Sequence, residues 1–104
     1  MGQSNIESIT INEVYSQNTK LKFKTPLEVS ITKTFADEGD YLLVGENEKI
    51  NLYVFAYTLK NLKKEINQQI AMMWDEYAIP DPEDFASDAL RLRGRLMERI
   101  EEID

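Results

Sequence analysis

Hydrophobic and polar positions change their spacing at Thr58, and this change predicts the layout of the chain. Before Thr58, short segments alternate between apolar and polar residues, as strands with one buried face do. After Thr58, apolar residues recur every three or four positions, which is typical of an amphipathic helix. The helical set is Leu62, Ile66, Ile70, Met73 and Tyr77. A sheet followed by a helix that packs on it predicts an α+β fold.

The alternating segments predict an antiparallel β-sheet of three to five strands. In the clearest segment, Leu27, Val29 and Ile31 alternate with polar residues. Turn-forming residues around Gly39 predict a hairpin to residues 41–44, and a polar loop at 45–49 precedes a last strand at 51–56. One or two further strands are expected within residues 1–25. Pro26 should mark a change of pairing or a sheet edge, because proline cannot donate a ladder hydrogen bond.

The long helix is expected to lie across one face of this sheet. The Thr58 hydroxyl is suited to cap its first turn, and the helix should run to about Ala78 before Ile79 and Pro80 end it.

A second, C-terminal helix should follow an acidic linker at residues 80–84, with Ser87 as its cap. Its apolar stripe is Leu92, Leu96, Ile100 and Ile103, flanked by Ala89 and Met97. Residues 1–104 are expected to form a single domain, with residues 1–5 as a disordered tail.

Composition narrows the function classes more than any motif does. The chain has 19 acidic and 12 basic residues, so its net charge of −7 disfavours nucleic acid as a direct partner. No segment has the length and apolarity of a membrane span or a signal peptide, so a cytoplasmic protein without membrane contact is expected. The chain has no histidine and no cysteine, which excludes imidazole catalysis, thiol chemistry, disulfides and structural zinc sites.

The acidic clusters do not predict a metal site. Asp37, Glu38 and Asp40 lack the spacing of a calcium loop and are interpreted as a hairpin turn. A second cluster, Asp81, Glu83 and Asp84, precedes a helix, where the helix dipole favours negative charge. We therefore assign no catalytic, cofactor-binding or metal-binding residue, and expect a protein without enzymatic activity or cofactor.

Aromatic residues of the last strand are the main candidates for a contact surface. Tyr53, Phe55 and Tyr57 alternate with the aliphatic positions that should meet the long helix, so they belong to the opposite face of the sheet. The second helix, the N-terminal strands or another copy of the chain must shield them. Trp74 lies at the margin of the helix stripe, either packed under the second helix or exposed at a partner contact.

Three arginines recur every fourth residue of the second helix: Arg91, Arg95 and Arg99. One interpretation is a contact for an anion or an acidic partner. The other is a solvated face whose charges pair locally, with Asp88, Glu98 and Glu102 three positions from the respective arginines.

Residues 26–70 resemble the HicB-like antitoxin domain. Leu27-Glu28-Val29-Ser30-Ile31 is similar to the first strand of that family, and Tyr57-Thr58-Leu59 to its helix start, with Leu62 and Ile66 at the fourth and eighth positions. The resemblance implies a sheet–helix unit without nuclease activity that binds and neutralises a small basic ribonuclease toxin and often dimerises.

Two other functions remain open on the residues alone. One is a small-ligand or nucleotide-binding domain that uses the loop after Val44. The other is a carboxylate–metal hydrolase, since only carboxylates, Lys, Tyr, Ser and Thr are available for catalysis.

Overall fold

The computed structural model describes residues 6–16, 19–35 and 41–103 and has the predicted α+β fold. Its strands are β1 (Ile6–Tyr15), β2 (Lys20–Phe35), β3 (Tyr41–Asn47), β4 (Leu52–Ala56) and β5 (Ile100–Ile103). The helices are α1 (Leu59–Met73) and α2 (Ser87–Arg99). All pairings are antiparallel, in the order β1-β2-β3-β4, and β5 pairs with β2. The expected tail at residues 1–5 and the turn at 37–40 lie outside the described residues.

Pro26 marks the position where β2 changes partners, as predicted. On one side of Pro26, Lys20–Phe23 pair with β5; on the other, Ser30–Phe35 pair with β3. Strand β1 follows β2 through both halves, but its register shifts between Ile11 and Glu13. The proline therefore lies in a bulge, where its lack of an N–H does not cost the sheet a hydrogen bond.

Helix α1 packs on one face of the sheet, which we call the inner face. Thr58 caps the helix as predicted, its hydroxyl accepting a hydrogen bond from the Asn61 N–H at 3.1 Å. Buried side chains of α1 meet buried side chains of β2 and β4. This core contains Val29, Ile31, Leu52, Val54, Leu62, Ile66 and Ile70. Gly45 of β3 lies beneath the helix, where an added Cβ would be 3.6 Å from Ile66 Cδ1.

A side chain of α1 also bonds to the backbone of β1. The Asn67 side-chain amide accepts from the Tyr15 N–H at 3.1 Å and donates to the Tyr15 carbonyl at 3.0 Å. Asn67 thus satisfies both backbone groups of one residue, as a neighbouring strand would.

The helical run reaches Ala78 as predicted, but its last turn changes hydrogen-bond pattern. Residues Trp74–Ala78 form a π-helical turn. The following connection contains a 3₁₀ turn at Pro82–Asp84, in which Asp81 accepts from the Glu83 N–H at 3.1 Å.

The prediction for the C-terminal helix is wrong at both ends. Ala86, rather than Ser87, occupies the cap position and contributes no side-chain hydrogen bond. The helix ends at Arg99, and Ile100 and Ile103 belong to β5 instead of the helical stripe. The open edge of β2 before Pro26 provides the pairing that turns these residues into a strand, with Lys22 opposite Glu101.

Candidate protein-interaction surface

The face of the sheet turned away from α1, the outer face, presents the predicted aromatic residues to solvent. Tyr53 and Phe55 of β4 are 60% and 58% exposed, and Tyr57, directly after β4, is 66% exposed. Neither the N-terminal strands nor α2 covers them in the part of the chain that the structure describes. Two of the three shields expected from the sequence are therefore excluded for these residues, and the third, another copy of the chain, stays a prediction.

Acidic residues lie beside this aromatic group. Glu46 of β3 is directly opposite Tyr53, and Ser30 of β2 is opposite Glu46. Glu28, on the same face, accepts a hydrogen bond from the Thr10 hydroxyl at 2.6 Å. A shallow depression of about 410 Å³ is lined by Glu28, Ser30, Thr32, Glu46, Asn47, Glu48 and Lys49. The depression beside the exposed aromatic rings is thus lined by three carboxylates and one lysine.

Trp74 does not belong to this surface, so its proposed role as an exposed contact is wrong. Its side chain is 6% exposed, and the indole N–H donates to Glu102 Oε2 at 2.8 Å. The turn that contains Trp74 packs against α2. The alternative expectation, that Trp74 packs under the second helix, agrees with this arrangement.

The arginines of α2 are only partly paired with local carboxylates. Arg91 forms an exposed ion pair with Asp88 at 3.6 Å, as the local-pairing interpretation expects. Arg99 instead pairs with Glu98 at 3.6 Å, and Glu102 lies in β5, so two expected pairs, Arg95–Glu98 and Arg99–Glu102, do not form. Within the described ranges, Arg95 has no ion pair.

Arg95 and Arg99 instead share a basic cleft with residues distant in sequence. One cavity of about 410 Å³ is lined by Glu48, Lys49, Arg95 and Arg99. A neighbouring cavity of about 540 Å³ includes Lys49 and Arg99 together with Lys24, Glu28, Asn47 and Glu98. The fold brings β2, the turn after β3 and α2 together here, and Arg91 is absent from both linings.

Asn47 shapes the loop next to this cleft. Its side-chain oxygen accepts from the Lys49 N–H at 2.9 Å, and its side-chain amide donates to the Glu28 carbonyl at 2.7 Å. The 3₁₀ turn Glu48–Ile50 ends at Asn51, which has the left-handed φ of 57°. Asparagine tolerates this conformation better than most residues. The sequence predicts the polar loop but does not indicate this role of Asn47.

Arg93, the remaining arginine of α2, contacts the end of the long helical run. Its Nη2 donates to the Ala78 carbonyl at 3.4 Å, at the end of the π-helical turn. Its Nε is buried and has no hydrogen-bond partner among the described residues. A cation next to a helix C-terminus is favoured by the helix dipole.

One ion pair shifts the pKa of its lysine. Glu13 Oε1 lies 3.4 Å from Lys20 Nζ, and the hydrogen bond to Glu13, followed by its negative charge, raises the pKa of Lys20. The Tyr15 ring also lies beneath this ammonium, with its centroid 5.5 Å from Nζ. This exposed cluster is at the β1–β2 hairpin, away from the outer-face aromatics.

Within residues 6–16, 19–35 and 41–103, no group of three or more acidic side chains is arranged to hold a metal ion. The cluster Asp81, Glu83 and Asp84 forms the 3₁₀ turn described above, and Asp37, Glu38 and Asp40 lie outside the described residues. No helix in the described ranges has the length and apolarity needed to cross a membrane.

Comparison with known proteins adds no relative: the chain matches no protein-family model, no curated protein and no solved structure.

Proposed function

We propose that this protein is a non-enzymatic protein-binding module that acts in the cytoplasm as a HicB-like antitoxin. The observation that supports this most is the uncovered outer face of the sheet, where Tyr53, Phe55 and Tyr57 are exposed together. Tyrosine and other aromatic side chains are enriched at protein interfaces because they bury large areas with few rotatable bonds.

The charge of the depression beside these rings favours a basic partner. Glu28, Glu46 and Glu48 line the depression beside the aromatic rings, and only Lys49 opposes them there. With a net charge of −7 for the chain, long-range attraction also steers a basic protein towards it. A small basic ribonuclease toxin, the partner that the HicB-like resemblance implies, has this chemistry.

The proposal is tested with the product of the gene adjacent to this one in the source genome. We expect that product to be a small basic protein that arrests growth when expressed alone, and co-expression of this chain should restore growth. Binding of the purified pair should be measurable by calorimetry. A neighbouring product that neither arrests growth nor binds this chain would refute the antitoxin proposal.

Matched variants locate the contact. Phe55→Ser removes an aromatic ring from the outer face, whereas Phe35→Ser removes an equally exposed ring (60%) that stacks on Tyr41 at the far end of β2. Glu46→Lys and Glu65→Lys change the net charge equally, but Glu65 is an exposed residue of α1. We expect the outer-face variants to weaken binding at least tenfold and the controls to leave it unchanged. Equal losses in both sets would show that the outer face is not the contact.

A second candidate function is the binding of a small anion or nucleotide in the basic cleft. Lys24, Lys49, Arg95 and Arg99 come from three separate segments and line the two adjoining cavities. This site includes Asn47 and Lys49, which belong to the segment after Val44 that the sequence predicts for the ligand-binding alternative.

Thermal unfolding in the presence of pyrophosphate or nucleoside triphosphates tests this second candidate. A ligand at a hundred times its dissociation constant stabilises the folded state by about 2.7 kcal/mol. Arg95→Gln should abolish the shift and Arg91→Gln should retain it, because Arg91 lines neither cavity. No shift with the native chain, or equal shifts in both variants, would remove this candidate.

A further inference from the structure

Strand β2 has a gap among its pairing partners in the middle of the sheet. Lys20–Phe23 pair with β5 and Ser30–Phe35 pair with β3, so residues 24–29 between them face no strand on that side in the described part of the chain. Six residues of a strand span about 20 Å, which is long enough for a short extended segment of another polypeptide. An opening of this kind is where a sheet can accept a further strand.

Asn47 shows which chemical group this side of β2 accepts. Its side-chain amide donates to the Glu28 carbonyl at 2.7 Å, as a backbone N–H of a neighbouring strand would. Next to this bond, Lys24–Pro26 pair with no strand on either side within the described ranges. The backbone groups of this exposed segment are therefore available to a bound peptide.

The gap is closed at both ends, which limits what can enter it. Asn47, the last residue of β3, stands at one end, and Arg99, directly before β5, stands at the other. A cavity of about 540 Å³ is lined by both residues and by residues 24–28, and its size is typical of ligand sites. An extended segment that continued in both directions would collide with β3 and β5. The gap therefore admits the end of a chain and not the middle of a long strand.

The lining of this cavity carries a small positive charge. Its ionisable side chains are three cations and two carboxylates, a net charge of +1 in a chain whose total is −7: Lys24, Lys49, Arg99, Glu28 and Glu98. Both carboxylates already have a partner, since Thr10 donates to Glu28 and Glu98 pairs with Arg99. Lys24 and Lys49 have no ion pair in the described ranges. The two lysines can thus bind an anion of single charge.

We propose that this gap binds the C-terminal end of a partner polypeptide, whose last residues lie along Lys24–Leu27 and whose terminal carboxylate is bound by Lys24 and Lys49. Addition to an open strand and capture of a C-terminal carboxylate are both recurring modes of peptide recognition. The two lysines would repel an N-terminal ammonium group, and the charge of −7 disfavours a polyphosphate. The inference rests on the second candidate function, whose cleft it uses, and deepens it by naming a peptide carboxylate as the anion.

Two matched sets of tripeptides test whether the carboxylate is recognised. A mixture of N-acetyl tripeptides with varied last residues is added to the full chain as free acids and, separately, as C-terminal amides, and amide NMR spectra are recorded. We expect the acids to shift the signals of Lys24, Thr25, Leu27 and Lys49 with an apparent dissociation constant on the order of 1 mM. The amides lack the charge and should bind at least about fivefold more weakly.

Single-charge variants locate the bound carboxylate. Lys24→Gln and Lys49→Gln each remove an unpaired cation of the cavity, whereas Lys60→Gln removes a cation from the exposed surface of α1. We expect each cavity variant to weaken binding of the acids about five- to tenfold, and the control to leave it unchanged. The dispersion of the same spectra checks that each variant is folded.

Pyrophosphate separates a failure of this inference from a failure of the second candidate function. If pyrophosphate shifts these signals and the acids do not, the small-anion candidate is retained and peptide binding is refuted. If the acids bind and neither pyrophosphate nor nucleotides do, peptide binding is retained and the nucleotide ligand is refuted. Equal responses to acids and amides, no response to the acids at about 10 mM, or equal affinities in the cavity variants and the control would each overturn the inference.

Discussion

The Trp74 indole donates a hydrogen bond to Glu102, 28 residues further along the chain, at 2.8 Å. This contact joins the end of the long helical run to β5 and thereby to the central strand β2. The C-terminal segment belongs to the sheet through its pairing with β2, and this bond helps to hold the chain's single tryptophan in a buried position.

Removing the indole N–H should destabilise the fold modestly. Trp74→Phe loses the hydrogen bond and leaves a small void at a buried position, so we expect the free energy of unfolding to fall by about 1–2 kcal/mol. Glu102→Gln keeps an acceptor oxygen and should have a smaller effect. Urea denaturation followed by far-ultraviolet circular dichroism measures both, and equal losses would argue against a role for the hydrogen bond.

The Asn67 side chain should contribute measurably through its two bonds to Tyr15. Asn67→Ala leaves the Tyr15 N–H and carbonyl without this partner, and we expect a loss of about 1–2 kcal/mol. Asn67→Asp retains the acceptor but loses the donor, so its loss in free energy of unfolding should be smaller than that of Asn67→Ala. Gln68→Ala, at an exposed neighbouring position, is the control. A loss as large in the control would attribute the effect to helix α1 in general.

Two leucines of α1 should differ strongly although they are three residues apart. Leu62 is fully buried against the sheet, whereas Leu59 is 44% exposed. Leu62→Ala should cost about 2–5 kcal/mol because it leaves a cavity, and Leu59→Ala should cost less than about 1 kcal/mol. Thermal and urea unfolding provide the comparison. Similar costs would mean that α1 does not pack on the inner face as described.

The two glycines in regular elements should respond oppositely to added side chains. Nothing lies within 4 Å of a Cβ added at Gly94, so Gly94→Ala should raise the free energy of unfolding by about 0.5–1 kcal/mol. At Gly45, a Cβ would already contact Val29 and Val54, each at 3.4 Å. Gly45→Val should therefore overpack the core and cost about 1–3 kcal/mol. Calorimetric melting temperatures should move in opposite directions.

The Lys20–Glu13 pair predicts a decline of stability at high pH. Because Glu13 raises the pKa of Lys20 above its ordinary value of 10.5, the charged form is favoured in the folded state. The resulting stabilisation is complete below pH 10.5 and is lost as the pH rises through the raised pKa. Titration of Lys20 by NMR should show this value fall towards 10.5 in Glu13→Gln. An unchanged titration in that variant would exclude Glu13 as the cause.

Part of the fold could be predicted from the sequence because local periodicity records which side of an element is buried. The alternation of Leu27, Val29 and Ile31 correctly identified the inner face of β2, and the helical spacing of Leu62, Ile66 and Ile70 identified the face of α1 that covers it. The cap at Thr58 could be predicted because it involves only a residue three positions away, Asn61. The separation of Tyr53 and Phe55 from the inner face followed from the same period of two.

The C-terminal segment shows where this reasoning fails. Leu96, Ile100 and Ile103 fit a helical stripe, yet Ile100–Ile103 form a strand because the edge of β2 before Pro26 offers hydrogen bonds there. Local spacing cannot distinguish these states when the deciding partner is about 80 residues away in sequence.

By itself, the sequence determined the α+β class and the start of the long helix. Its lack of histidine and cysteine also excluded imidazole and thiol catalysis. Only the tertiary structure decided that Trp74 is buried, that β4 lies at an edge of the sheet, and that Lys24, Lys49 and Arg99 share one cleft. These features depend on contacts between distant segments, whose geometry is set by chain packing and not by the order of neighbouring residues.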